Sequence, residues 1–198
     1  MVELLRTARL LVRDWSVGDA PEALKVYRHD DVLQWGTNEQ LRIPHLTAMQ
    51  QVLERWTAEQ AEMAPGTGRW AMTLIDSGAL IGGITLLPMP VPEADVEIGY
   101  RLAPEYWGQG YATEAGRALA RWAFQHSLVE VFGLVTPDNA RAAATARRIG
   151  MEWVGESTKY HGMHMEVYRL RPDNLAHPGD SVQLSPTSSL AFVREQDR

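Results

Sequence analysis

The chain has 198 residues, of which 45% are hydrophobic and 22% charged, and its formal net charge is −6. This composition suits one globular domain, alone or with a tail. The sequence contains no cysteine, which excludes disulfides, thiolate zinc sites and a cysteine nucleophile and favours a cytoplasmic location. The acidic balance argues against a nucleic-acid partner. The longest apolar stretch, residues 79–91, is too short to cross a membrane, so we expect no membrane partner either.

The first half of the chain predicts one strand, two helices and three further strands. Residues Thr7–Arg13 form the expected opening strand, and Asp19 is a candidate cap for a helix that ends near Arg28. Apolar residues at helical spacing predict a second helix from His45 to about Met63. The three strands are expected at Trp70–Ile75, Leu80–Leu87 and Asp95–Leu102, with a hairpin turn at Asp76–Gly78 between the first two.

The second half alternates helices with strands. A glycine-rich loop precedes a predicted helix that ends near His126, and a strand follows at Val129–Thr136. Asn139 begins the next helix, and Gly150 is a typical residue for its end. The last strands are expected at Glu152–Val154 and Met165–Leu170. Because hairpins come first and helical crossovers later, we predict an α/β fold with a mixed sheet.

The composition changes from Pro172 onward. Prolines and serines become frequent, which is typical of a loosely ordered tail. Leu190–Val193 is a short apolar patch within this tail, and docking as a strand and disorder both remain open for it. We therefore predict a domain of residues 1–171 followed by a tail of residues 172–198.

The loop Trp107–Gly110 connects the alternating strand Asp95–Leu102 to a helix, and this arrangement is suited to bind phosphate. The first amides of a helix have no intrahelical partner, and the helix dipole favours negative charge there. Glycines let a ligand approach the backbone. The loop contains no lysine or arginine, so the backbone would carry the binding.

Two familiar nucleotide sites do not fit this loop. A nucleoside-triphosphate loop needs Gly-Lys-Ser/Thr, which is absent. A dinucleotide site needs a third glycine, but Thr113 stands at that position, and it needs an acidic residue at the end of the next strand, whereas Glu130 stands at its start. Taken alone, the loop also fits a helix that simply begins with glycines and binds nothing.

The context of the loop resembles motif A of the GNAT superfamily of N-acetyltransferases. The family loop has the pattern Arg/Gln-x-x-Gly-x-Gly/Ala, and Trp107-Gly108-Gln109-Gly110-Tyr111-Ala112 fits the form in which tryptophan comes first. This form is typical of the ribosomal-protein N-terminal acetyltransferases (the RimJ/RimL type) and their small-molecule relatives. The strand Thr7–Arg13 and the segments Pro137–Asn139 and Arg147–Met151 also resemble this branch. The resemblance covers residues 7–171 and implies a mostly antiparallel sheet flanked by helices.

The resemblance implies that the chain transfers an acetyl group from acetyl-CoA to an amine without a metal. The backbone of Tyr100 and Leu102 would pair with the pantetheine arm, and the Tyr100 amide would polarise the thioester carbonyl. Asn139 would bond the coenzyme arm, a role compatible with capping its helix. The residues expected around the pyrophosphate are Trp107, Gly108, Gln109, Gly110, Tyr111, Ala112 and Thr113.

The reaction needs a base, because most alkyl amines are protonated at neutral pH and only the neutral amine attacks. Glu97 is the candidate, on the polar face of its strand and three residues before Tyr100. The alternative is a structural carboxylate paired with Arg101. The resemblance also implies an acid for the departing thiolate, but Ala142 and Ala146 stand where many relatives have serine and tyrosine.

Other candidates are secondary. Trp35 and Trp56 are expected in the acceptor pocket, because the early helices cover that side in the family. His161 and His164 are interpreted as residues of a surface loop rather than metal ligands. The acceptor, either a protein N-terminus or a small-molecule amine, and the choice between monomer and homodimer stay open. A non-catalytic acyl-CoA sensor, a transferase of longer acyl groups and a nucleotide-binding oxidoreductase are the alternatives. Glu97 argues against the sensor, and the incomplete dinucleotide pattern argues against the oxidoreductase.

Overall fold

The computed structural model describes residues 2–35, 43–89, 95–160, 162–175 and 183–184. The strands are β1 (Glu3–Arg6), β2 (Leu10–Asp14), β3 (Gly68–Leu74), β4 (Leu80–Pro88), β5 (Val96–Leu102), β6 (Val131–Val135), β7 (Glu152–Ser157), β8 (Met165–Leu170) and β9 (Gln183–Leu184). The α-helices are α1 (Ala20–Tyr27), α2 (Asp30–Leu33), α3 (Leu46–Gln60), α4 (Tyr111–Gln125) and α5 (Ala140–Ile149).

All of these strands belong to one sheet, in the order β7-β8-β6-β5-β4-β3-β2-β1-β9. Every pair of neighbours is antiparallel except β5 and β6, which are parallel and are connected through α4. The predicted fold class, a mixed and mostly antiparallel sheet flanked by helices, is therefore confirmed.

The helices cover the two faces of the sheet separately. On β5, Val96, Ile98 and Leu102 are buried in the cluster that contains the inner side of α4. The opposite face of the sheet packs against α1 and α3, where Met49, Leu53 and their neighbours form a second cluster. The alternation predicted for β5 is thus confirmed, and it sends Glu97, Gly99 and Arg101 toward the face covered by α1 and α3.

The opening segment departs from the prediction of one strand at Thr7–Arg13. The chain turns between β1 and β2, where the Thr7 amide donates to the Leu10 carbonyl at 2.9 Å and the Thr7 hydroxyl accepts from the Leu10 amide at 2.9 Å. Two apolar pairs, Leu4–Leu5 and Leu10 with Val12, are buried on either side of the polar turn. The prediction was wrong because the short strand before the turn was overlooked.

The early helices begin and end close to the predicted positions. Asp19 precedes α1 without capping it, because its carboxylate instead accepts from the Ser16 amide at 2.8 Å and from Arg13. His45 caps α3 by accepting from the Ala48 amide at 3.1 Å. The short helix α2 was not predicted, since four residues give no measurable periodicity.

The segment after the last long strand is ordered in two places. Residues 172–175 form a 3-10 turn that packs on α4, and Leu175 contacts the core. Gln183–Leu184 pairs with Leu5 and Arg6 of β1. The patch Leu190–Val193 lies outside the described residues. Within the described parts of the chain, no helix is long and apolar enough to cross a bilayer.

Candidate active site

A cavity of about 940 Å³ opens where β5 and β6 separate. The parallel pair has a single register partner, Glu97 opposite Phe132, whereas β4 and β5 stay paired along all of β5. The carboxyl halves of β5 and β6 therefore leave a gap between them. Elements from both faces of the sheet line the cavity, so the gap connects a half beside α4 and α5 with a half beside α1 and α3.

The first half contains the glycine-rich loop. Gly108 and Gly110 have φ angles of 73° and 84°, in the left-handed region that favours glycine. Gly110 immediately precedes α4, so the first amides of that helix face the loop without intrahelical partners. Of the loop residues predicted to bind pyrophosphate, Gln109 alone does not line the cavity. Its side chain donates to the Glu105 carbonyl at 2.8 Å.

The remaining predicted coenzyme residues lie around the same half. Those that line it are Tyr100, Leu102, Trp107, Gly108, Gly110, Tyr111, Ala112, Thr113 and Asn139. The Trp107 indole donates to the Leu102 carbonyl at 2.8 Å, which fixes the loop to the end of β5. Asn139 also caps α5, because its side-chain oxygen accepts from the Ala142 amide at 3.1 Å. Lining and capping are thus combined in one residue.

Arginines from other elements surround the loop, which has none of its own. Arg9, in the turn between β1 and β2, donates to Glu114 at 2.7 Å and to the Gln109 carbonyl at 3.0 Å. Its guanidinium lies 4.4 Å from the centre of the Tyr111 ring. Arg141 and Arg148 on α5 line the cavity, and Arg141 lies 4.4 Å over Trp107. These arginines were not predicted from the sequence, because no local pattern indicates that they meet the loop.

Glu97 lies at the point where β5 and β6 separate, partly buried and partly accessible through the cavity. Burial raises the pKa of its carboxyl to about 7, and two weaker effects oppose this rise: a hydrogen bond from the Leu134 amide and the charge of Arg101. No ion pair joins Glu97 to Arg101 among the described residues. Loss of water, rather than pairing, therefore dominates, and the carboxyl is poised to exchange a proton near neutral pH.

The second half of the cavity is aromatic and cationic. Trp56 and Trp35, the residues predicted for the acceptor pocket, both line it, as do Tyr27, Arg69 and Arg101. The Trp56 ring centre lies 5.4 Å from that of Tyr27. The structure thus brings Trp35 and Trp56 to the same cavity as Glu97.

Of the two histidines considered as metal ligands, the structure describes His164. His161 is outside the described residues, and His164 is exposed and contacts Glu156 at 2.7 Å. In the part of the chain that the structure describes, no group of three or more histidine, aspartate or glutamate side chains is arranged to hold a metal ion.

Comparison with known proteins places this site in context. The family model described as "Acetyltransferase (GNAT) domain" matches residues 9–152. A curated relative is the FsC-acetyl coenzyme A-N(2)-transacetylase of Aspergillus fumigatus, 33% identical over 107 residues. That match covers 50% of this chain and 45% of the relative, so the chain spans about half the length of that protein.

Solved structures show the same fold. The RimJ protein of Mycobacterium smegmatis in complex with CoA-disulfide has a TM-score of 0.73 and 18% identity, with 88% of each chain covered. The structure of AAC(6')-Ib in complex with ribostamycin and coenzyme A has a TM-score of 0.69 and 18% identity. This match covers 85% of the present chain and 97% of the AAC(6')-Ib chain.

Proposed function

Because the chain belongs to the GNAT family and carries its acetyltransferase domain, we propose that it transfers the acetyl group of acetyl-CoA to a primary amine. The observation that carries the proposal is Glu97, a carboxyl with a pKa raised to about 7 at the gap between β5 and β6. An amine that enters from the α1–α3 side would meet a thioester that enters from the α4–α5 side.

The coenzyme would occupy the half of the cavity beside α4 and α5. Its pyrophosphate would accept hydrogen bonds from the amides between Gly108 and Thr113, with Arg9 and Arg141 nearby as counter-charges. The pantetheine arm would lie in the gap. Beyond Glu97, the edge of β5 that faces β6 is unpaired, so its backbone is available to the arm. Asn139 lines the path of the arm. A structure with the same fold, solved in complex with CoA-disulfide, supports coenzyme binding.

The chemistry is direct attack of the neutral amine on the thioester carbonyl. The carbon–nitrogen bond forms as the carbon–sulfur bond breaks, Glu97 takes the proton from the amine, and the Tyr100 amide donates to the oxyanion. Ala142 and Ala146 line the cavity and supply no acid. Coenzyme A leaves as a thiolate that solvent protonates, which is feasible because a thiol pKa is about 8.5.

The acceptor is a small-molecule amine or a protein N-terminus. One structural neighbour was solved in complex with ribostamycin and coenzyme A, which supports a small-molecule amine as acceptor. Glu97 favours catalysis over a non-catalytic acyl-CoA sensor, because binding alone does not require a buried carboxyl with a pKa near neutrality. Transfer of a longer acyl group remains the alternative for the donor.

The proposal is tested by initial rates of coenzyme A thiol release while acetyl-CoA and a reactive amine are varied together. Direct transfer in a ternary complex predicts double-reciprocal lines that intersect. Parallel lines, or an isolable acetyl-enzyme, would contradict it, and the absence of cysteine already excludes a cysteine thioester. Replacing acetyl-CoA with longer acyl-CoAs in the same assay identifies the donor. If acyl-CoA binds tightly and no amine reacts, the sensor becomes the better account.

A further inference from the structure

The half of the cavity beside α1 and α3 carries two arginines on the face of the sheet that bears Glu97. Arg69 on β3 is opposite Thr85 on β4, which is opposite Gly99 on β5. In the next row, Gly83 is opposite Arg101. Residues directly opposite one another share a face of the sheet, so both guanidinium groups and the Glu97 carboxylate border one floor.

This floor is made of two glycines and Thr85, which lets neighbouring side chains approach it closely. A Cβ atom on Gly83 would lie 2.4 Å from the Tyr27 hydroxyl and 2.8 Å from the Trp15 ring. A Cβ atom on Gly99 would lie 2.8 Å from the Thr85 hydroxyl. Glycine at these positions lets the Tyr27 ring lie directly on the sheet and keeps the path from Arg101 to Glu97 open.

The Tyr27 ring lies beside Arg101, and its hydroxyl lies over Gly83, which is opposite Arg101. Burial raises the pKa of Tyr27 to about 12, while the charges of Arg101 and Arg69 act in the opposite direction. The phenol therefore keeps its proton and remains a hydrogen-bond donor. Three donor groups thus surround one side of the pocket, and the Arg101 guanidinium lies 5.5 Å from the centre of the Tyr27 ring.

The two arginines differ in their protein partners. Arg69 is paired with Glu59 at 3.0 Å, which neutralises part of its charge. Arg101 belongs to no ion pair among the described residues, although it is partly buried. A buried charge without a partner is costly, and guanidinium binds carboxylate through two parallel hydrogen bonds. Among the described residues that line the cavity, the acidic ones are Glu97, four residues away along β5, and Asp31, which is exposed at the rim.

We propose that the amine acceptor also carries a carboxylate, which Arg101 binds with the help of Tyr27 and Arg69, so that the substrate is an amino acid rather than a polyamine or an aminoglycoside. The inference rests on the proposed function and names its substrate class. The amine lies toward Glu97 and the carboxylate toward Arg101. A polycation would place positive charge beside two guanidinium groups, which is unfavourable in a partly buried pocket. The net negative charge of the whole chain acts weakly here, because salt screens distant charges over about 8–10 Å.

The test compares amines that differ in the carboxylate alone. Thiol release from acetyl-CoA is measured with phenylalanine and phenethylamine, tryptophan and tryptamine, lysine and cadaverine, and glutamate and γ-aminobutyrate. β-Alanine, spermidine, ribostamycin and an alanyl peptide amide complete the panel. We expect turnover with one or more amino acids and weaker turnover with the partner that lacks the α-carboxylate. The spacing of the reactive amine and carboxylate then reports the distance between Glu97 and Arg101.

Variants of Arg101 separate recognition from structure. Arg101→Met should lower kcat/KM for the reactive amino acid about tenfold to a hundredfold through KM, the range for a hydrogen bond to a charged group, and should affect the decarboxylated amine much less. Arg101→Lys should restore part of the loss. Rates are compared at pH 9, well above the Glu97 pKa of about 7, because loss of the Arg101 charge raises that pKa. Arg28→Met, an exposed arginine outside the cavity, is the matched control and should have no effect.

The results separate failure of the carboxylate inference from failure of the proposed acetyltransferase function. Equal or faster turnover of spermidine, ribostamycin, the peptide amide, phenethylamine, tryptamine or cadaverine, none of which carries a carboxylate, would overturn the carboxylate inference and leave the proposed acetyltransferase intact. An unchanged KM for the amino acid in Arg101→Met would also overturn it. If none of the amines in the panel releases thiol from acetyl-CoA, the proposed function is contradicted, and the carboxylate inference with it.

Discussion

Glu97 links the stability of the protein to pH through its buried carboxyl. Burial raises its pKa to about 7 from an ordinary value of 4.5. Between pH 4.5 and about 7, the folded state therefore holds a proton on Glu97 that the unfolded state has lost. The contribution of the protonated carboxyl to the stability of the fold is fully present below pH 4.5, declines as pH rises, and is lost above about pH 7.

We expect Glu97→Gln to remove this part of the pH dependence. Between pH 4 and pH 8 the parent chain should lose roughly 3 kcal/mol more unfolding free energy than the variant, because one pKa unit corresponds to about 1.4 kcal/mol. Urea denaturation at a series of pH values measures the difference. Parallel curves for the two proteins would show that the carboxyl is not buried as described.

A substitution at Gly108 tests whether the loop binds the coenzyme, because an added side chain there does not clash with the protein itself. The φ angle of Gly108 is 73°, and a Cβ atom there would meet no protein atom within 4 Å. In Gly108→Ala the added methyl group should instead meet the coenzyme pyrophosphate, which needs close approach to the backbone. We predict at least tenfold weaker binding of acetyl-CoA by calorimetry.

Gly78→Ala is the matched control for the backbone strain that an alanine causes at a positive φ. This glycine lies in the β3–β4 turn with φ 70°, an added methyl group there would also have no protein atom within 4 Å, and the residue does not line the cavity. Gly78→Ala should lose a similar amount of stability, of order 1 kcal/mol, and bind acetyl-CoA normally. Equal affinities in the two variants would refute the role of the loop.

At the scale of whole elements, the described part of the tail lies away from the cavity. Gln183–Leu184 adds β9 to β1 at one edge of the sheet, and four strands separate β9 from β5. The turn at residues 172–175 is different, because the Asn174 side chain donates to Glu152 and Leu175 contacts the core. A cut near Asn174, which composition alone suggests, would therefore remove packed residues.

We predict that a chain ending at Leu175 binds acetyl-CoA with unchanged affinity and has a slightly lower Tm than the full chain. The reason is that, among the described residues, the truncation removes one edge pairing and none that lines the cavity. Calorimetry and thermal denaturation measure the two quantities. Lost coenzyme binding in a folded truncated chain would show that the tail contributes to the site.

The elements that the sequence predicts well are those with a strong local pattern. The alternation along β5 and the cap of α5 at Asn139 need only neighbouring residues, and both are confirmed. The turn between β1 and β2 was missed because Thr7–Arg9 has neither glycine nor proline to mark it. Because the turn was missed, the contact of Arg9 with the glycine-rich loop was missed as well.

At the scale of the molecule, the cavity depends on contacts that no local pattern contains. Tyr27 meets Arg101 only because α1 packs on β4 and β5, and Arg9 meets Glu114 across more than a hundred residues. The candidate base and loop follow from a family resemblance in one continuous segment. The arginines that surround both halves of the cavity follow from the three-dimensional fold, because side chains distant in the sequence converge there.

The central claim is that Glu97 accepts the proton of an amine that attacks acetyl-CoA. The most direct test is the pH dependence of kcat/KM for acetyl transfer in the parent chain and in Glu97→Gln. The account predicts a rate that rises through about pH 7 in the parent chain. In the variant the inflection near pH 7 should be lost, leaving only the rise that comes from deprotonation of the amine, and turnover should fall about 10²–10⁴-fold, with coenzyme affinity unchanged. Normal turnover of Glu97→Gln across the same pH range would contradict the account.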